Sequence, residues 1–405
     1  MSPPITRQCC IVGGGPAGMM LGFLLARAGV SVAVLEKHAD FLRDFRGDTV
    51  HPSTLELVYE LGLLDEFLAL PHRKVERFGV EIGGKRVQVV DLRHLPTHCK
   101  YIALMPQWDF LDFLAKQARR YASFDLRMQT EATDIIEQDG RIVGVRAKTP
   151  RGELNVRADL IVGCDGRHST LRARAGLTSD DFGAPMDALW FRLSRKQSDP
   201  PETFARLDAG AMLVILDRGE YWQCAFVIPK GEFERMKSEG IEAFRSRVCA
   251  LAPFLVERMT ELSSFDDAKL LTVMVDLLRQ WWRPGLLLIG DAAHAMSPIG
   301  GVGINIAIQD AVAAANRLAG PLRAGEVRAA DLQAIQRRRV WPARMTQRVQ
   351  LMMQNRLIGP ALKGVRRPKP PFVFEVLNAV PALQRLPARL LALGFRPEHV
   401  RTADH

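Results

Sequence analysis

The 405-residue chain is 47% hydrophobic and 25% charged, with 32 Gly and 24 Pro, a composition that excludes collagen-like, coiled-coil and wholly disordered chains. At roughly 100–200 residues per domain, its length predicts two or three domains. Lys and Arg outnumber Asp and Glu 55 to 45, a net charge of +10; the basic residues are spread along the chain without a nucleic-acid-binding motif, so a surface suited to anionic dinucleotides and substrates accounts for the sign and nucleic acid is not an expected partner.

From Gln8 the chain reads CCIV and then GGGPAG, an apolar run fit for a buried parallel strand followed by a glycine turn. Pro16 suits the first turn of a helix, and Met19, Met20, Phe23, Leu24 and Ala26 recur at helical spacing until Gly29. A second apolar strand at 30–35 closes on Glu36, completing a β-α-β unit. The pattern then predicts a helix from Ser53 or Thr54 through LELVYELGLLDEFL, paired strands over 77–90 around Gly83-Gly84, a helix over 107–121, a hairpin over 135–148 around Asp139-Gly140, and a buried strand over 158–164 ending at Asp165-Gly166.

Between 181 and 275 the character changes. Short apolar pieces, ALWFRL, AMLVILD and YWQCAFVIP, with a polar helical stretch over 232–250, suggest an inserted antiparallel sheet with its own helices. Pro284-Gly285 turns into LLLIG, a buried strand ending at Asp291 that returns the chain to the first domain. The tail from Ala311 is expected to be helical, broken at Pro321, Pro342, Pro360 and a basic, proline-rich stretch over 363–371.

The six cysteines, Cys9, Cys10, Cys99, Cys164, Cys224 and Cys249, include no C-x-x-C pair, which suits reduced thiols in a cytoplasmic protein and no structural metal. Adjacent Cys9 and Cys10 point to opposite faces of a strand and so make no redox pair. The opening MSPPITRQ lacks the features of a signal peptide, and no stretch reaches the roughly 20 apolar residues needed to cross a bilayer.

Gly13, Gly15 and Gly18 form G-x-G-x-x-G between strand and helix, where bare backbone permits a tight turn, close approach of a pyrophosphate and close helix packing. Pro16 and Ala17 begin the helix whose N-terminus would meet the phosphates. Glu36, with Lys37 beside it, stands at the end of the next strand, where a carboxylate can accept ribose hydroxyl protons.

GGGPAG with Glu36, GCDGRHSTLR from Gly163 to Arg172, and GDAAHAMSPIGGVGIN from Gly290 to Asn305 together resemble the three fingerprints of group A flavoprotein monooxygenases, of the para-hydroxybenzoate hydroxylase and ubiquinone-biosynthesis hydroxylase type. The resemblance covers roughly residues 8–320. It implies an α/β protein: a Rossmann-like FAD-binding domain (1–75, 101–180 and 276–320), an inserted antiparallel β-sheet substrate domain (76–100 and 181–275) and a helical C-terminal segment (321–405). It also implies that Asp291 accepts from a ribityl hydroxyl of FAD, that Gly303, Ile304 and Asn305 face the flavin at a helix start, and that Pro298 sits beside the isoalloxazine. Asp165, Gly166 and Arg172 would lie near the FAD pyrophosphate and entering NAD(P)H. Arg46 would lie near the phosphates and Gln107 near the flavin, with Asp48, Thr49 and Val50 close by and His51 within reach. His294 and Cys164 flank motif aspartates, but the chemistry needs neither.

By the same resemblance, NAD(P)H, with NADPH favoured, binds transiently and leaves after hydride transfer, and reduced flavin reacts with O2 to a C4a-hydroperoxide that hydroxylates an aromatic or quinone-like small molecule. The pocket is expected between the flavin and the 181–275 sheet, lined by some of Trp190, Phe191, Leu213, Ile215, Tyr221, Trp222 and Phe226, with Tyr221 able to polarise a phenol. Such a lining suggests a hydrophobic phenol, quinolone or quinone precursor. The segment VLNAVPALQRLPARLLALGF is expected to pack on the FAD domain or a second subunit, in a monomer or homodimer, with at most peripheral membrane contact as the alternative. Rival readings on the same fold are a flavin-dependent halogenase, whose W-x-W-x-I-P motif has a counterpart ending at Ile228-Pro229 but with Cys224 and Phe226 at the Trp positions, an isoprenoid or quinone reductase, and a non-enzymatic dinucleotide-binding scaffold.

Overall fold

The computed structural model describes residues 5–42, 49–200, 203–208, 210–364 and 368–405. Its nucleotide-side sheet runs, strand by strand, Trp282–Arg283, Leu286–Leu288, Gly152–Gly163, Ile5–Val12, Val32–Leu35 and Phe124–Arg127. The last five of these are mutually parallel. The hairpin Glu131–Gln138 and Arg141–Thr149 is attached along Gly152–Gly163. Parallel strands need both faces covered, which is why 5–12 and 32–35 read as unbroken apolar runs. Cys9 and Ile11 enter one core with the helices Pro16–Arg27, Gln107–Ala118 and Gly303–Ala324, while Cys10 and Val12 enter the other. Burial pushes the Cys10 thiol up to about 12.

The second sheet has the order Lys269–Leu271, Met186–Ser194, Tyr221–Pro229, Ala211–Asp217, Phe204–Asp208, Arg77–Ile82, Lys85–Asp91. All its pairs are antiparallel except 204–208 with 77–82. Two pieces of chain on either side of the 101–180 segment therefore build one sheet. Its strands alternate in the period of two: Leu189, Phe191, Leu213, Ile215, Trp222 and Phe226 face a layer containing the helix Ile241–Leu251, and Met186, Trp190, Met212, Val214, Ala225 and Val227 face the other way.

Several boundaries differ from the sequence reading. The helix expected from Ser53 or Thr54 begins at Pro52 with His51 as N-cap, ends at Glu60, and resumes only over Leu64–Leu68, because Gly62 takes φ +71° between them. The polar helix over 232–250 is two helices, Phe233–Glu239 and Ile241–Leu251, separated at Gly240 with φ +87°. Pro321 and Pro342 do not break the tail: the helices Gly303–Ala324 and Ala329–Met353 run through them. Each proline forfeits one backbone hydrogen bond, and the packing of these two helices on each other and of the first on 16–27 outweighs that loss. The Asp139-Gly140 hairpin turn forms with both residues at positive φ.

Candidate functional site

The glycine turn is held by contacts that admit no side chain. Gly13 has φ +103°, and a Cβ there would meet the Cys164 carbonyl oxygen at 2.3 Å; one on Gly18 would meet the Gly13 carbonyl oxygen at 1.9 Å. At Gly15, the N-cap of 16–27, nothing lies within 4 Å and no side chain caps the helix. The result is an open cradle in front of helical N–H groups with no intrahelical acceptor, a geometry that fits a diphosphate. Ala17 begins the helix, behind Pro16. Glu36 is buried at the strand end, where its Oε2 accepts from Gly14 N at 2.9 Å and its Oε1 from His38 N at 3.0 Å. A carboxylate has about four acceptor sites, so one group can serve backbone N–H donors and ribose hydroxyls together. Lys37 is exposed.

The second and third motifs converge on this turn. Cys164 touches Gly13 and Gly18, and the position of a Gly290 Cβ is 3.3 Å from the Ala17 Cβ. The Asp165 carboxylate accepts from Ser169 Oγ at 2.5 Å and Leu171 N at 3.1 Å, bracing the short helix that follows. Burial raises its pKa, and these bonds offset only part of the rise. Gly166, at φ +82°, borders open space. The Arg172 guanidinium is committed to Asp276 at 3.0 Å and to the Arg167 carbonyl. Arg167, which the sequence reading passed over, reaches Asp291: Nη2 and Oδ2 are 3.6 Å apart, with the Asp291 carboxylate a third exposed. The signal for it was its place beside Asp165-Gly166, yet only the fold brings residues 167 and 291 together.

Behind Asp291 lies a buried polar network. The Asp310 carboxylate accepts from Gly290 N at 3.1 Å, from His294 Nε2 at 2.5 Å and from Arg339 Nε at 2.8 Å. Burial alone would raise the Asp310 carboxyl, but the His294 imidazole and the Arg339 guanidinium bring it below its ordinary value. His294 is thus a buried packing and hydrogen-bonding residue.

Pro298 is half-buried and leads a tight turn, Ile299–Gly301, in which Gly300 and Gly301 both take positive φ before the 303–324 helix starts at Gly303. Ile304 is half-buried against the nucleotide-side core. Asn305 works as an interior brace: its Oδ1 accepts from His51 N at 3.0 Å and Thr54 Oγ1 at 2.8 Å, and its amide donates to the carbonyls of Thr49 and Gly301. Thr49 Oγ1 also donates to the Gly301 carbonyl at 2.9 Å. His51 is fully buried, its Nδ1 2.8 Å from the Leu391 carbonyl oxygen. Burial lowers its pKa to about 4, and the carbonyls of Leu391 and Gly300 offset only part of that. Gln107 opens its helix half-buried, directly after the Ile102–Leu104 strand that pairs with Thr49-Val50. Arg46 and Asp48 lie outside the described residues.

The turn at 299–301 also touches the second sheet. Ile299 packs on a cluster formed by Met186, Val227, Ile358 and Leu362, so the sheet face carrying Met186 and Val227, and with them Trp190, Val214, Leu216 and Tyr221, is the one on the side of the glycine-rich turn. All four are half-buried, although their strands lie inside the sheet. Arg192 stands 5.5 Å from the Tyr221 ring centroid. Of the expected pocket lining, Phe191, Leu213, Ile215, Trp222 and Phe226 are instead packed on the opposite side, where Phe244 meets Phe191 and Phe226 edge-on. The sequence reading pooled both faces of one sheet. Cys224 and Ile228 belong to that opposite side as well.

A dinucleotide turn, an acidic strand end, two further motifs folded onto them and an apolar sheet face across the gap define a flavoprotein monooxygenase of group A. Residues 6–349 match the family described as FAD binding domain, and the chain belongs to it. It is 31% identical over 396 residues to 6-methylpretetramide 4-monooxygenase of Streptomyces rimosus, covering 97% of this chain and 94% of that protein. It is 30% identical over 313 residues to a probable NADH-specific resorcinol 4-hydroxylase of Rhodococcus jostii, covering 74% of this chain and 56% of the relative. Among solved structures, pqsL, a probable FAD-dependent monooxygenase from Pseudomonas aeruginosa, has the same fold, with a TM-score of 0.74 at 21% identity over 88% of this chain and 98% of that one. The chain is an FAD-dependent monooxygenase.

Proposed function

We propose that this enzyme hydroxylates an electron-rich aromatic ring of a largely apolar, phenol-like small molecule, using O2 and NAD(P)H, with NADPH favoured because its extra phosphate suits a chain at +10. The observation that supports it best is the half-buried pair Trp190 and Val214 on the sheet face whose Met186 and Val227 share a cluster with Ile299. Relatives named for 6-methylpretetramide and for resorcinol support oxygen insertion into molecules of this kind. The six free cysteines suit a cytoplasmic setting.

Bound FAD supplies the redox chemistry, accepting hydride and activating oxygen. Gly13, Gly15 and Gly18 bind its diphosphate against the start of the 16–27 helix, and Glu36 accepts from its ribose. Asp291, with Arg167 at 3.6 Å, would accept from the ribityl chain. The first N–H groups of the 303–324 helix favour negative charge on the adjacent ring. Pro298 and Ile299 would border the ring and exclude water from it, while Tyr221, with Arg192 5.5 Å from its ring centroid, would orient a phenolic oxygen on the sheet side.

The test is NAD(P)H oxidation by the FAD-loaded protein, with peroxide release and incorporation from labelled O2, across phenols, hydroxyquinolines and quinone precursors. One compound is expected to accelerate oxidation, lower peroxide per cofactor consumed and acquire one labelled oxygen. A product reduced without label would establish the reductase reading instead. A product formed only with chloride and separately reduced flavin would establish the halogenase reading.

A further inference from the structure

The C-terminal helices expose a surface that the reaction does not use. Phe372–Ala379, the turn Pro381–Gln384 and Arg385–Leu393 all pack on the 85–91 strand, with Ala388 and Ala392 buried, and Leu391 half-buried, in a cluster with Val90, Leu92, Ile102 and Leu104. On the outer side Phe372 is 78% exposed and Leu386 66%, joined by Val373, Val380, Leu383 and Leu390. Isolated exposed apolar residues are ordinary; six of them within three consecutive short elements are not.

The charges beside this ridge have one sign. In the 385–393 helix Arg385, Leu386, Arg389 and Leu390 occupy the outer face, alternating cation and apolar side chain. Arg385, Arg389, Lys363 and Lys369 are exposed and form no salt bridge among the described residues. Between 363 and 396 the sequence has seven basic residues and one acid, Glu375, and that acid faces Lys85 at 3.9 Å.

We propose that this basic, apolar ridge is a docking surface for an anionic lipid bilayer, on which the enzyme lies peripherally. Apolar side chains flanked by unpaired cations match the boundary between acyl chains and anionic headgroups. A symmetric contact with a second copy would bring together two copies of the same cationic patch, and a nucleic acid would leave the six apolar side chains in water. No helix among the described residues is long and apolar enough to cross a membrane, so the contact is interfacial. The opposite side of the same helix carries the Leu391 carbonyl that meets His51 behind the 299–301 turn, so docking would place the pocket next to a lipid-dissolved substrate.

The experiment is co-sedimentation of the FAD-loaded full chain with vesicles of phosphatidylglycerol and phosphatidylcholine, and with phosphatidylcholine alone. Binding is expected only to the anionic vesicles and is expected to fall as salt is raised. Each arginine lost from the ridge should weaken it about fivefold, the equivalent of ~1 kcal/mol for one cation near an anionic surface. Arg385→Glu with Arg389→Glu, and separately Phe372→Ser with Leu386→Ser, should release the protein while FAD absorbance stays unchanged. Lys148→Glu with Arg151→Glu, on the exposed turn of the 141–163 hairpin, makes the same change in net charge and should retain binding. Equal loss in that control would overturn the proposal, as would failure to bind anionic vesicles at low salt. A dimer in light scattering that dissociates with Leu386→Ser would assign the ridge to a second copy and likewise overturn it. None of these readouts depends on the reaction assigned above.

Discussion

Gly15 and Gly18 stand in one turn under opposite constraints. A methyl group at Gly18 would lie 1.9 Å from a backbone oxygen, whereas at Gly15 it would point into open space. Gly18→Ala is therefore expected to lower folding stability with or without FAD. Gly15→Ala should fold with the parent's unfolding midpoint yet bind FAD at least tenfold more weakly, because the methyl occupies the diphosphate cradle; urea unfolding and FAD titration of both apoproteins separate the two. Equal FAD affinity in Gly15→Ala would remove the diphosphate from this turn. His51 gives a pH signature at the same scale. Its pKa falls from 6.5 to about 4 on folding, so the unfolded chain takes up the proton first as pH drops. The contribution is complete above about pH 6.5 and is lost toward pH 4, by about 3 kcal/mol in total. His51→Asn keeps an N–H directed at the Leu391 carbonyl and does not titrate. The stability of the parent relative to this variant should decline by that amount between pH 7 and 4 in urea titrations at fixed ionic strength, and a flat difference would contradict a buried neutral imidazole.

Strand faces decide function at the level of elements. Phe226 and Val214 lie on neighbouring strands of one sheet, but Phe226 packs into the core beside Phe244 while Val214 is half-buried on the opposite face. Phe226→Ala should cost about 3–5 kcal/mol of stability through the cavity it leaves. Val214→Phe should change stability by less than about 1 kcal/mol and, with whichever aromatic accelerates NAD(P)H oxidation, raise KM or peroxide release several-fold. The reverse pattern would put the cleft on the helical side. The strand runs ALWFRL, AMLVILD and YWQCAFVIP were legible as strands, but nearly every position in them is apolar, so alternation could not tell the two faces apart. Both sides carry packed apolar side chains, one against the helix at 241–251 and the other in part against the C-terminal helix Gly359–Lys363. The continuous helices through Pro321 and Pro342 were illegible for a related reason: local chemistry argued for breaks, and long-range packing of 303–324 and 329–353 overrode it.

Across the whole molecule, the Asp310 network ties the third motif to the chain's last residues. Arg339 bonds Asp310 and lies 3.3 Å from Glu398, which also pairs with Arg338. Arg339→Met would remove the buried cation shared by Asp310 and Glu398, leaving Asp310 with His294 and Gly290 N and Glu398 with Arg338, at a cost of about 3 kcal/mol. Because Asp310 also accepts from Gly290 N, the Asp291 turn should loosen and FAD affinity should fall with stability, as paired thermal melts and FAD titrations would register. Loss of stability with unchanged FAD affinity would confine the network to packing.

The three glycine and aspartate motifs, their order and the strands and helices flanking them were written in the sequence, because a tight turn, a positive φ and a close backbone approach each demand glycine locally, and a buried parallel strand demands an apolar run. Those needs hold whatever the rest of the chain does, so Gly13–Gly18, Glu36 and a dinucleotide-binding α/β unit were readable without coordinates, while flavin was implied by the resemblance of the three motifs to one family. Tertiary structure alone decided that Arg167 reaches Asp291, that Asn305 braces His51 and Thr54, that Arg172 is spent on Asp276, and which face of the second sheet borders the cleft. Each depends on residues tens to hundreds of positions apart meeting at a few ångströms, and no local propensity specifies such a meeting.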